Sequence, residues 1–183
     1  MACTLTNGYS LGNCVVSNGG VYTTYIAGHE KGIVYSNGVG NQVNGYDGTS
    51  ITLAFQEFEQ DVEIADSSEN LVVSRENGTR YYEQSVSITL HYGSDAAAND
   101  TLRDTLEELS KGNMVVIVKE NSGIHKLYGA DNGLRVTAGA SASGKAFGDL
   151  NGITLTLTGK EPEAATIVDL VTAVVGPDVP FGI

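Results

Sequence analysis

Residues 85–92 read SVSITLHY and residues 114–118 read MVVIV. In the first word Val86, Ile88, Leu90 and Tyr92 alternate with Ser85, Ser87, Thr89 and His91, the period of a strand with one buried face. The second word has no polar position, as a strand covered on both faces requires, a helix being one way to cover one side. Between the two words Ala98, Leu102, Leu106 and Leu109 are spaced for a single helical stripe. Leu102, Leu106 and Leu109 are therefore read as a core helix face, each contributing about 2 kcal/mol of transfer free energy. Arg103, Asp104, Glu107 and Glu108 form its wet side. Ser94 or Asp95 caps the amino end, while Lys111 and Gly112 close the other. Strand, helix and strand are read as one unit in which the helix leaves a sheet, covers it, and the chain returns.

The flanks read as further strands. Upstream, VYTTYIA at 21–27 is rich in β-branched and aromatic residues, and Ile33–Tyr35 reads as a short return strand. Ile51, Leu53 and Phe55 alternate, and the parity then changes to Phe58, Val62 and Ile64. A bulge near Gln56 and Glu57 reconciles the two halves. Residues 71–75 form a short strand, and NGT at 77–79 turns the chain into residues 80–84. Downstream, 124–128 and 133–138 read as extended. Residues 138–147, all small or polar until Phe147, read as a flexible loop. In ITLTLT at 153–158, Ile153, Leu155 and Leu157 point inward and the threonines outward. Residues 161–175 mix helix-favouring alanines with Val and Ile and are read as extended. The fold class is mostly β with one core-packed helix, α+β, as a single domain over 1–183.

Two segments look like arms. Residues 36–50 hold Asn-Gly and Asp-Gly turns around Asn37, Val39, Asn41, Val43 and Tyr46, and read as a mobile loop or hairpin arm. Residues 172–183 form a carboxy-terminal arm.

With 183 residues, one core needs no metal or disulfide staple. Ten basic residues against 22 acidic ones give a net charge of −12, which makes gripping of nucleic acid improbable. No apolar run approaches the ~20 residues of a membrane span. The start, MACTLTNG, has neither a basic nor an apolar block, so no export signal is expected there. Cys3 and Cys14 match neither a disulfide framework nor a metal site and read as two reduced thiols.

Little in the sequence carries chemistry. GASASGKA at 139–146 has phosphate-loop spacing, but Ala146 stands where a magnesium-binding hydroxyl is needed, and no helix follows. His29, His91 and His125 are not in ligand spacing. Glu57, Glu59, Asp61 and Glu63 alternate on one strand face, about 7 Å apart. Without cations such a stripe faces water or a partner. No cofactor, no metal and no catalytic cluster are expected, and the chain is not read as an enzyme.

Three words carry a resemblance: CVVSNGGVYTTYIA at 14–27, LYGADNGLRVT at 127–137 and SGKAFGDLNGITLTLTGKE at 143–161. With the strand, helix and strand of 89–118, they resemble tail-tube-like structural proteins of bacteriophages that infect the Bacteroidetes group. The resemblance implies a β-sandwich or barrel forming symmetric rings, usually hexamers, whose sheets join into a channel for DNA. It implies assembly in the host cytoplasm into the virion tail beside other tail proteins. DNA passes without specific binding, and the protein does not span a membrane. On this basis residues 36–50 are the candidate inter-ring arm, and Glu57, Glu59, Asp61 and Glu63 line the lumen, where acids repel phosphates. Related roles are a tail terminator, a neck or baseplate ring, or a capsid-decorating protein. Two rival readings stand beside it. A monomeric β-sandwich would bind carbohydrate or peptide on a patch of Tyr81, Tyr82 and Tyr128. An enzyme would need a pocket holding His91 or His125 beside a carboxylate.

Overall fold

The computed structural model describes residues 19–29, 36–37, 43–44, 56–59, 65–74, 76, 78–145 and 149–168. In chain order these form β1 (Val21–Gly28), β2 (Ser36–Asn37), β3 (Val43–Asn44), β4 (Gln56–Glu59), β5 (Asp66–Ser74) and β6 (Thr79–His91). Helix α1 (Ala96–Lys111) follows, then β7 (Met114–Glu120), β8 (His125–Tyr128), β9 (Arg135–Ala142), β10 (Gly152–Glu161) and β11 (Thr166–Val168). A five-stranded sheet has the order β11-β8-β7-β1-β4, and a four-stranded sheet the order β5-β6-β10-β9. Strands β2 and β3 form a separate two-stranded ribbon. Every pairing is antiparallel. Among the described residues the chain is thus mostly β with one helix, and neither large sheet closes on itself.

The two large sheets pack face to face. Val86, Ile88 and Leu90 of β6 pair with Leu157, Leu155 and Ile153 of β10, so six apolar side chains cover one face. They meet Ile26, Phe58, Met114, Val116, Val118 and Tyr128 of the other sheet in one core. Thr23, Ala27, Val115, Ile117 and Leu127, which alternate with these, are buried as well. Met114–Val118 of β7 are therefore covered on both faces, which their lack of polar residues requires.

Leu134 ties the layers together. It is fully buried, and its backbone N–H and C=O both bond to Met114, at 2.7 Å each. Gly129, at φ +72°, makes room for this crossing. A Cβ there would lie 2.9 Å from Leu134 N and from Met114 O.

Helix α1 is capped by Asp95, whose Oδ1 accepts from Ala97 N at 2.9 Å. Asn99 clasps the preceding turn through both bonds to Gly93. Leu106 and Leu109 are buried in the core, whereas Leu102 is only half-buried at its margin. Lys111 ends the helix and Gly112 caps it in an extended conformation, at φ −128°.

Several expectations are corrected. β6 and β7 do not return to one sheet: α1 carries the chain from the four-stranded sheet to the five-stranded one. β6 is already flanked by β5 and β10, and β7 by β1 and β8, so neither has a free side for the other. Residues 138–142 are not a loop. They belong to β9, held by ladder bonds to β10 over Arg135–Ala142. The short strand expected at 71–75 is the second half of the nine-residue β5. Gln56–Glu59 pair with β1 in unbroken register, so no bulge lies within that stretch, and the flanks at 51–55 and 60–64 are outside the described residues. Register shifts occur instead between Val21 and Thr23 and between Thr156 and Leu157. The expected strands at 33–35 and 51–55, both cysteines and the arm at 172–183 lie outside the described residues.

Candidate functional site: an open four-stranded sheet

Among the described residues the four-stranded sheet ends in two long edges, β5 and β9. β5 pairs with β6 along all nine of its residues, from Asp66↔Ser87 to Ser74↔Thr79, and Gly78 takes φ +63° in the turn between them. On β5, Ser67, Glu69, Leu71 and Val73 alternate onto the face that carries the core, because Ser67 pairs with buried Val86. Leu71 and Val73 are nevertheless 49% and 57% exposed. β10 reaches only to Tyr82, so Val73, opposite Arg80, lies in the overhang, and Leu71, opposite Tyr82, sits in the last row that β10 covers. Ile167 of β11, at the edge of the other sheet, is 51% exposed.

The opposite edge is β9. It lacks bulky side chains except at its start, and only Val136 is half-buried. Gly139 lies under Leu155, whose Cδ2 would be 2.9 Å from a Cβ at that position. Ala138, Ala140 and Ala142 pair with Thr156, Thr154 and Gly152 and take the outer face. With half-buried Ser85, Ser87, Thr154, Thr156 and Thr158 they give that face a stretch of hydroxyls and methyls, with Asp66, Glu83, Arg135 and Lys160 on the same side; Thr89 there is buried.

A polar seam closes the sandwich beside β5. Gln84, 2% exposed, accepts from Gly129 N at 2.9 Å and donates to Glu69 Oε2 at 3.2 Å. The same Glu69 oxygen accepts from Ala165 N. The Tyr128 hydroxyl is hydrogen-bonded to Ser67, and burial pushes its pKa up. Glu161, also 2% exposed, accepts from Asp131 N at 2.9 Å and from Asn132 N at 3.1 and 3.2 Å. Burial pushes the Glu161 carboxyl above its ordinary value, outweighing these N–H bonds, which pull it down. Lys126 meets Glu120 at 2.6 Å, and that bond raises the lysine pKa. A cleft of about 210 Å³ opens here, lined by Gln84, Leu127, Asp131, Glu161 and Glu163 among others. Of the carboxylates in its lining, the buried one, Glu161, is committed to holding the 131–132 turn.

The residues singled out from sequence are distributed as follows. Glu57 and Glu59 lie in β4 on either side of buried Phe58, opposite Tyr25 and Thr23, while Asp61 and Glu63 are outside the described residues. Asn37 and Val43 pair with each other in the β2–β3 ribbon, and Val39, Asn41 and Tyr46 are outside. Tyr81, Tyr82 and Tyr128 do not form a patch. Tyr128 is a core residue, and Tyr81 and Tyr82 are successive in β6, so they face opposite ways. His29, His91 and His125 do not line the cleft, and His29 Nε2 lies 3.3 Å from Ala130 O. Among the described residues no group of three His, Cys, Asp or Glu could hold a metal ion, and no helix is long and apolar enough to cross a membrane.

The edges went unread in the sequence because an edge is a property of backbone pairing. A trace of them in the sequence is LVVSR at 71–75, three successive apolar residues ahead of the NGT turn into residues 80–84. No protein-family model matches this chain, no curated protein matches its sequence, and no solved structure matches its fold.

Proposed function

We propose that this chain is a structural subunit of a phage tail tube, assembling into rings, hexameric in the family it resembles, that stack into a channel for DNA. The observation that carries the assembly part is the open four-stranded sheet, whose two edges are eight and nine residues long, one of them with half-exposed Leu71 and Val73. Soluble monomers blunt such edges with charge, proline or a covering element. Closed symmetry turns the same edges into interfaces. The tail placement rests on the resemblance of residues 14–27, 127–137 and 143–161.

In this reading residues 36–50 reach the next ring, and their deletion leaves rings that do not stack. The strand with Glu57 and Glu59 is the candidate channel wall. A second candidate is the hydroxyl-rich stretch of Ser85, Ser87, Thr154 and Thr156 on the outer face of the four-stranded sheet. Replacing Glu57, Glu59, Asp61 and Glu63 by their amides separates the two: slowed DNA passage in assembled particles supports the acidic wall, and unchanged passage supports the hydroxyl-rich one. The assembly itself is tested by light scattering across concentration together with negative-stain imaging. Rings or tubes are expected, and a monomer at every concentration overturns the proposal.

A further inference from the structure

The side of the sandwich between β5 and β11 is open. Among the described residues β5 pairs only with β6 and β11 only with β8, so each leaves one backbone row without a strand partner. Ile167 lies in a row that runs through Lys126 to buried Val118, so it faces the interior, as Leu71 and Val73 do. All three are nevertheless about half exposed. Five large apolar side chains are exposed among the described residues, and three of them belong to this one side. The bond from Ala165 N to Glu69 Oε2 spans the gap and ties the chain just ahead of β11 to β5.

An extended segment that is apolar on both faces and uncharged suits this gap. One of its faces meets the inward row of Ile167, Leu71 and Val73. β5, which carries Asp66 and Glu69 and no base, disfavours an acidic strand beside it. Such a segment follows β11 directly. Residues 170–175 read LVTAVV, with four β-branched residues in six, no charge between Asp169 and Asp178, and Gly176-Pro177 to end a strand.

Reach and concentration favour the chain's own segment over that of another copy. The path from Val168 to Val73, by way of Ala165 and Glu69, is under about 35 Å, whereas residues 169–183 fully extended span about 50 Å. A segment tethered so closely meets β5 at an effective concentration on the order of millimolar.

We infer that residues 170–175 lie along the open side of their own subunit between β11 and β5, cover Ile167, Leu71 and Val73, and guard the β5 edge until subunits meet. The guarding role rests on the assembly reading above and supplies its control, because the segment must leave β5 before another strand can pair there. The cover itself does not depend on that reading.

The test uses the full chain with Cys3 and Cys14 replaced by Ser. Leu71→Cys or Val73→Cys is combined in one chain with a cysteine at each of positions 170–175 in turn. A disulfide within one chain is expected at one or two of the six positions, with a yield that dilution does not change. No crosslink at any position, or crosslinks only between chains, overturns the cover. Thiol labelling gives an independent readout on folded protein. Leu71→Cys should react about tenfold faster when Val171→Asp and Val174→Asp are added, since the segment then no longer protects it. Equal rates overturn the cover. The same two aspartates, in a chain that keeps Leu71, should lower the concentration needed for assembly about fivefold, because a larger fraction of subunits then presents a free edge. A crosslink within the chain with an unchanged assembly threshold overturns the guarding role and leaves the cover standing. Monomers at every concentration, with and without the aspartates, overturn the assembly reading and the guarding role together, while the crosslink still decides the cover.

Discussion

Strands β7 and β9 are seven and eight residues long, yet they hold their places by different forces. β7 sits between β1 and β8, and Met114 through Val118 are all buried. Its side chains bury apolar surface on both faces, which fixes its depth and register. Among the described residues β9 has one neighbour, β10, and seven of its eight residues are exposed. Its place is set by main-chain bonds to β10 and by Gly139 fitting under Leu155. The first kind of strand makes a core, and the second offers a surface onto which another strand can pair.

That contrast can be broken from the β7 side. Ile117→Ala leaves a cavity in a fully buried position and should lower stability by about 3 kcal/mol in urea unfolding. A loss under 1 kcal/mol would mean that β7 is not packed on both faces. From the β9 side, Gly139→Val drives a side chain onto Leu155 and should cost about 2 kcal/mol, measured the same way. If it is neutral, β9 does not lie against β10 as closely as the contact requires.

The polar seam gives a smaller, pH-dependent effect. Burial raises the Glu161 pKa above its unfolded value, so the folded chain holds this proton more tightly than the unfolded one. The stability linked to that proton is fully present below the unfolded value of 4.5 and is lost as pH rises through the folded pKa. Relative to Glu161→Gln, the wild-type protein should therefore lose melting temperature between pH 4.5 and neutrality. A difference that stays constant across this range, or that runs the other way, would show that the N–H bonds from Asp131 and Asn132 outweigh desolvation. Smallest of all, Ala140→Ser on the exposed edge should shift monomer stability by less than about 0.5 kcal/mol. A larger change would mean that the outer face of β9 is covered in the isolated chain.

The same physics explains what could be read in advance. SVSITLHY and MVVIV announced their faces because burial selects apolar side chains at fixed intervals, and Val86, Ile88, Leu90 and Met114–Val118 are all buried. Leu106 and Leu109 were legible for the same reason. GASAS at 139–143 was misread as a loop because hydrogen bonding to β10 places no demand on side-chain type. Gln84 and Glu161 went unnoticed because a buried polar residue is marked by its partners, and those lie far along the chain, at Gly129 and at Asp131 and Asn132.

By itself, then, the amino-acid order determined which segments bury a face and that one helix packs against them, since apolar periodicity is a local property. Only the tertiary structure decided that β6 and β7 belong to different sheets and that β5 and β9 are left as opposed open edges. Strand neighbours are chosen by competition among backbone ladders across the whole chain, and no single stretch of sequence records the outcome.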